Sequence, residues 1–394
     1  MIVKIDRLSH DMRGITKIDN KITFVDKVLP DEVVNIRLTK QKKNINEARL
    51  VNVIESSQDR IQPKCPYYDV CGGCNIAHIN YNKSLMYKKE IVKDIIKRYS
   101  DIDVNPDIVF SDNIYNYRNK ITLKVSDNKL SLVGDNFVNI DYCYLVNDRI
   151  NKIIKIVNTM DLSNVKEVVI KGTNEIMVII SGMIDKSEVI NKLSNEVTTI
   201  MINGEKIYGK DYITINVNDY VYAIYASSFF QVNTGMIDKL YDKVLEYAGS
   251  GRSLLDLYCG AGTIGIYLAK RFDYVKGVEA NKDAVVSANK NKEINGINNI
   301  EFICEEVSNI EKIAEDVVVV DPPRHGLDKI TREKIMLSDV GRIVYVSCNP
   351  MTLARDLNVL KDKYDVEEIT LFDMFPNTSH VECVSVLHRK SLEK

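Results

Sequence analysis

The chain has 394 residues, 45% hydrophobic and 27% charged, with a formal net charge of -2 at pH 7. That length allows two or three domains with their own cores, and the charge balance excludes a uniformly basic nucleic-acid binder, so any polyanion-facing surface has to be local. The opening MIVKIDRLSH has no apolar h-region and no run approaches the roughly 20 apolar residues of a membrane span, so a cytoplasmic protein with reduced cysteines is expected.

Residues 1–56 read as short strands, with IVKID, GITKID, KITFVD, EVVNIRL and EARLVNVI separated by turn residues, a pattern that suggests a small N-terminal β-barrel. Within it, RLTKQKKNINEAR sets Arg37, Lys40, Lys42, Lys43 and Arg49 against a single acid, Glu47. Such a run is either a solvated, edge-blunting face or a phosphate-facing patch. Residues 57–228 form a mixed α+β central region. It opens on a cysteine-rich loop and a helix at KSLMYKKEIVKDIIKRY, and then alternates strands such as KITLKVS and EIMVIISG with one or two helices. From residue 229 to 394 strand and helix alternate, through SLLDLYCG, TIGIYLAKRF, YVKGVEA, VVVVDPP, RIVYVSC and CVSVLHR. That alternation predicts a parallel, doubly wound, Rossmann-like domain.

Four features carry chemistry. CPYYDVCGGC brings Cys65, Cys71 and Cys74 within ten residues, and Cys143 in DYCYL is a candidate fourth ligand. Four thiolates suit zinc or an iron–sulfur cluster, and three clustered cysteines plus a remote one fit the cluster better than the two close pairs usual for zinc. DLYCGAGTIGI places Gly260 and Gly262 between a strand and a helix, and Glu279 ends the next strand, where an acid would bind a ribose diol. The glycines also satisfy a dinucleotide pattern, but Asp256 opening the motif and the later Asp-Pro-Pro favour S-adenosylmethionine, which has no phosphate.

VVVVDPPRHGL sets Asp321 at the end of a four-valine strand, where two prolines keep the chain extended. Finally, VYVSCNPMTLARDL delivers Cys348 to the end of another core strand, with a helix start behind it that is expected to lower the thiol pKa. A thiolate, a carboxylate and a methyl donor suit methylation of uracil C5, where thiolate addition at C6 makes C5 nucleophilic. A base must then remove the C5 proton. Glu382 is the expected base and His380 the competing one.

Taken together, CPYYDVCGGC with DYCYL, FFQVN, DLYCGAGTIGI, DPPRHGL, VSCNPMTLARDL and FPNTSHVECV resemble the RNA uracil-5-methyltransferase family over essentially the whole chain. The similarity is greatest to the subgroup with an N-terminal TRAM domain and a four-iron cluster. The resemblance implies a [4Fe-4S] cluster on Cys65, Cys71, Cys74 and Cys143. It also implies an S-adenosylmethionine site lined by Gln231, Tyr258, Glu279 and Asp321, with Cys348 as nucleophile and Glu382 as base. It implies an RNA partner gripped partly by the barrel, with 23S ribosomal RNA the expected substrate and transfer RNA the alternative. A monomer is expected. Cys259, Cys304 and Cys383 receive no role.

Overall fold

In the barrel, strands Gly14–Ile18, Lys21–Asp26, Val33–Gln41 and Ile45–Glu55 alternate buried with outward residues, as a half-buried pleated surface requires. The structure, a computed structural model, describes residues 1–134 and 136–391. The sheet begins at Ile2–Lys4, paired to Val33–Gln41, and ends at Arg7–Leu8, paired to Gly14–Ile18. These two edges are consecutive pieces of one extended segment, so the sheet closes on itself around Ile5, Val25, Val28, Val34 and Ile36. The lysine-rich run is the hairpin joining the two longest strands. It sets Lys40 opposite Glu47 and Arg37 opposite Arg49, with all five basic residues exposed.

The central region is a seven-stranded mixed sheet formed by strands between residues 120 and 209. Helices Asp148–Val157 and Lys186–Leu193 cover it, burying Ile150, Ile153, Ile154, Val189 and Leu193. A hairpin, Tyr212–Val217 with Tyr220–Tyr225, leads on to the C-terminal sheet.

That last sheet has eight strands. Its parallel core runs Ile300–Cys304, Phe272–Glu279, Gly251–Leu257, Val317–Val320 and Arg342–Ser347. Glu382–Arg389 then adds antiparallel, followed by Tyr364–Phe372. The order reverses between Gly251–Leu257 and Val317–Val320, the switch point where open α/β sheets bind ligands at their carboxyl edge. The four valines divide between the two faces. Val317 and Val319 join the core that holds helix Thr234–Ala248, and Val318 and Val320 join the core beneath helix Pro350–Leu360.

One feature departs from the chain-order reading. Helix Tyr81–Ser100 packs Val92, Ile95 and Ile96 into the same core as Leu353, Ala354 and Leu357, and Asp107–Val109 extends the eight-stranded sheet beside Tyr364–Phe372. The helix has an apolar stripe that its own sequence neighbours leave uncovered, and the last sheet supplies the cover. Buried ion pairs hold the pieces together. Arg60 grips fully buried Glu32 through two bonds of 2.5 and 2.7 Å, tying the barrel to the cysteine segment. Lys88 reaches Asp373 at 2.5 Å. Among the described residues no helix is long and apolar enough to cross a membrane.

Candidate active site

The glycine turn is built for close approach. Gly260 and Gly262 both have positive φ, at 53° and 74°, and a Cβ on Gly262 would fall 2.4 Å from the Phe302 ring. Between the strand and these glycines Tyr258 also holds a positive φ of 61°, a strained conformation for a bulky residue. Its hydroxyl lies 3.2 Å from an Asp328 oxygen. Glu279 closes the turn, accepting from the Gly260 amide at 3.0 Å and the Asn281 amide at 2.7 Å.

Beneath it Asp256 is 0% exposed; Oδ2 accepts from the Gly265 amide at 2.9 Å, while Oδ1 has no partner. Burial, followed by repulsion from Asp321 and Glu279, pushes Asp256 up to about 8. Asp321 is half-buried as a residue, yet enclosure of its carboxyl pushes it up to about 7. This edge therefore concentrates carboxylates short of positive charge, a fit for the ribose diol and cationic sulfonium of S-adenosylmethionine.

Register brings Cys348 and Glu382 together. Ser347 pairs with Cys383 across antiparallel strands, so the next step of the ladder sets Cys348 opposite Glu382. Glu382 is only 2% exposed, and its carboxyl is raised well above the usual range by burial and then by Asp321, with Arg324 pulling it back. The Cys348 thiol is raised to about 11, first by burial and then by Glu382 and Asp321. This reverses the expectation of a lowered thiol. Helix Pro350–Leu360 does start just beyond it, but enclosure and two carboxylates outweigh that end. His380 turns its ring to Arg324, with Nδ1 3.3 Å from a guanidinium nitrogen.

The loop after Asp321 is locked to the helix after Cys348 by one acid. Asp356 is 0% exposed. It accepts from Arg332 at 2.6 Å, from Arg355 at 2.9 and 2.8 Å, from the Leu327 amide at 2.9 Å and from the Tyr345 hydroxyl at 2.8 Å. Gly326, at φ 74°, permits this approach, since a Cβ there would fall 2.6 Å from Asp356 Oδ2.

Cys65, Cys71, Cys74 and Cys143 line one cavity of about 470 Å³. Cys74 is raised to about 12 by burial and then by the other three thiols, with Arg118 opposing. Among the described residues no three His, Cys, Asp or Glu side chains converge closely enough for a single metal ion. Four cysteine thiols on one cavity wall are a donor set of the right chemistry for zinc or an iron–sulfur cluster. Gln231 lies on the wall of this cavity, while Tyr258, Glu279 and Asp321 stand at the sheet edge. Cys259 and Cys383 are buried packing residues and Cys304 is exposed.

Two residues escaped the sequence reading. Phe229 is 71% exposed beside buried Phe230, an aromatic face offered to solvent on the rim of the cysteine cavity. Lys171, buried and lowered to about 7, donates to the carbonyls of Tyr225 and Ala226 at 2.6 and 2.8 Å and so anchors the segment that presents Phe229. The FFQVN motif pointed to that segment; a lysine in the interior of a distant strand gave no local signal.

A doubly wound sheet with a glycine turn, an acid ending the second strand and an Asp-Pro-Pro at the switch point defines an S-adenosylmethionine-dependent methyltransferase. Residues 189–390 match the tRNA (uracil-5-)-methyltransferase family model, and residues 1–51 match the TRAM domain. An uncharacterised RNA methyltransferase of Halalkalibacterium halodurans is 33% identical, over 99% of this chain and 97% of its own. Another, from Caldanaerobacter subterraneus subsp. tengcongensis, is 36% identical over 98% and 97%. The structure of Pyrococcus abyssi tRNA (uracil-54, C5)-methyltransferase in complex with S-adenosyl-L-homocysteine is 29% identical, with a TM-score of 0.83 covering 98% of this chain and 100% of that one. The chain belongs to the tRNA (uracil-5-)-methyltransferase family. It is an S-adenosylmethionine-dependent RNA (uracil-5-)-methyltransferase with an N-terminal TRAM domain.

Proposed function

We propose that the protein methylates C5 of one uridine in 23S ribosomal RNA through a covalent bond between Cys348 and uracil C6. The observation that carries this reading is the strand register that sets Cys348 opposite buried Glu382, beside Asp321. Tyr258, Glu279 and Asp321 hold the methyl donor, whose contribution when bound is an electrophilic methyl group; Gln231, on the wall of the cysteine cavity, is assigned to the donor by the resemblance alone. The Cys348 thiolate bonds to C6, and the C5=C6 pair becomes an enolate that makes C5 nucleophilic. C5 takes the methyl as the methyl–sulfur bond breaks, its electron pair leaving with sulfur as a neutral thioether, and Glu382 then takes the proton from methylated C5. The C5–H pair re-forms the double bond as the C6–Sγ bond breaks, and the thiolate leaves.

The raised pKa values add a requirement to each step: the Cys348 thiol must lose its proton before it bonds to C6, and Glu382 must lose its own before it acts as base. Cys348 and Glu382 oppose each other's ionisation. Once sulfur is bonded to carbon its charge is gone, and Glu382 ionises more readily for its own step. Phe229 offers a face for the extruded base.

Cys65, Cys71, Cys74 and Cys143 are the residues to hold a [4Fe-4S] cluster, which the reaction needs for structure, as methyl transfer moves no electron. The chain divides into an RNA-gripping barrel at 1–56, a central domain at 57–228 and a methyltransferase domain at 229–394, with residues 81–109 also serving the last. The basic hairpin from Arg37 to Arg49 contributes phosphate contacts. The protein acts as a cytoplasmic monomer.

The choice of ribosomal RNA rests on the resemblance of the four-cysteine and TRAM pattern. Transfer RNA is the second reading, favoured by the similarity to the Pyrococcus abyssi enzyme. Mass mapping of 5-methyluridine in RNA from cells with and without the protein separates the two. Cys348→Ala should abolish methylation while RNA is still bound, and continued methylation by that variant rules out the thiol route.

A further inference from the structure

We infer that Asn75 is a positioning residue for the proton-abstraction step: it ties the cysteine segment to the loop that delivers Glu382. The inference rests on the reading of Glu382 as the base. Asn75 follows Cys74 directly in the chain. Its amide nitrogen donates to Ser379 Oγ at 2.9 Å, and its amide oxygen accepts from the Ser379 backbone at 2.8 Å. The next residue repeats the contact, since the Ile76 amide donates to the Asn377 carbonyl at 3.3 Å. A reciprocal pair fixes both distance and orientation, which a single bond does not.

The loop from residue 373 to 381 joins strand Tyr364–Phe372 to strand Glu382–Arg389. Much of its anchoring comes from the cysteine region and the residues that follow it. The Tyr117 hydroxyl donates to the Pro376 carbonyl at 3.1 Å, and Asn377 Nδ2 donates to the Ile114 carbonyl at 2.7 Å. Lys88 Nζ donates to the His380 carbonyl at 2.8 Å while paired to Asp373. Asn377 holds a positive φ of 65°, a bend that this set of bonds stabilises. Phe375 and Asn377 also form part of the wall of the cysteine cavity. The cavity and the base are thus two ends of one clamp, and Asn75 is its exposed link.

The clamp acts on one step. Cys348 comes from a different strand and loop, so addition to C6 does not depend on the 373–381 loop. Removal of the C5 proton does, because that loop leads directly into Glu382 at the first position of its strand. Loosening the loop therefore slows elimination more than addition, and the protein–RNA adduct accumulates.

The test uses the full chain, S-adenosylmethionine and RNA from cells lacking the protein. It measures turnover, denaturant-resistant protein–RNA adduct, RNA affinity and melting temperature for Asn75→Ala, Ser379→Ala and their double variant. Turnover should fall about tenfold with a rise in trapped adduct, since small misplacements of reacting groups cost up to about a hundredfold. RNA affinity should stay within twofold of wild type. The double variant should match Asn75→Ala, which removes both bonds, and Ser379→Ala, which keeps the backbone bond, should fall between it and wild type. Ser379→Thr, which keeps the hydroxyl, should restore the wild-type adduct fraction.

Wild-type turnover and adduct fraction in both singles overturns the inference, as does a drop in melting temperature with no change in adduct fraction. Cys348→Ala, run alongside, separates the two levels. If it still methylates, the thiol reading fails; if it is inactive while Asn75→Ala behaves as wild type, only the positioning role fails.

Discussion

Two aspartates, one beneath the helix after Cys348 and one at the sheet edge, are both 0% exposed and have opposite surroundings. Asp356 is met by two arginines, a backbone amide and a tyrosine hydroxyl. Asp256 has one amide, and its second oxygen has no partner. The first region spends its polar groups on each other and becomes rigid. The second is left short of positive charge, and that shortage is a property a cationic donor relieves. The same division separates the thiols. Cys65, Cys74 and Cys143 of the cysteine cavity are raised chiefly by burial, with neighbouring thiols adding to it, whereas Cys348 is raised by burial and the facing carboxylates Glu382 and Asp321.

The contrast is sharpened first at Glu382. Glu382→Gln should lower turnover by about 10²–10⁴-fold, the range for loss of a general base, and leave an adduct that survives denaturation. Equal losses of adduct and product would instead assign Glu382 to binding. Next, Asp356→Ala should destabilise the fold by about 3–5 kcal/mol in urea unfolding, because two arginines lose a buried partner. Arg355 is half exposed, which favours the lower end of that range. A cost under about 1 kcal/mol would break the claim that this acid is a scaffold.

Asp256→Asn should act the other way. A carboxyl with a folded pKa of about 8, above an unfolded value of roughly 3.9, keeps its proton in the native state after the unfolded chain has lost it. The native state then loses stability as pH rises between those values. The asparagine variant should melt several degrees higher than wild type near pH 8, the gap closing toward about pH 4. A gap independent of pH would mean the carboxyl is not protonated in the fold.

The smallest effect is at Cys348 itself. Its alkylation by iodoacetamide, followed by peptide mass spectrometry, should be slower near pH 8 than that of an ordinary cysteine and rise toward about 11. Glu382→Gln removes one repelling carboxylate and should accelerate it, although the same change suppresses turnover.

Much of the fold was legible locally. Short runs separated by turn residues marked the barrel strands, and the four valines marked the strand that ends at Asp321. Gly260 and Gly262 announced a turn with left-handed backbone, and at Gly262 a side chain would also clash with Phe302. The candidate site was legible as a set of edge positions, Glu279, Asp321 and Cys348 each ending a strand. The helix Tyr81–Ser100 was visible as a helix but not as part of the last domain, because its partner lies more than 250 residues away in sequence. The sign of the Cys348 shift was misjudged for a related reason. A helix start is readable along the chain, whereas the two carboxylates facing the thiol come from other strands.

The sequence by itself determined which segments become strands and helices and which residue types stand at their ends, because those signals repeat every two or 3.6 residues and need no distant partner. Only the tertiary structure decided that Cys348 faces Glu382, that four thiols share one cavity, and that Asn75 reaches Ser379 across 304 positions of chain. Those pairings are chosen by which buried faces cover one another, and no local pattern encodes that choice.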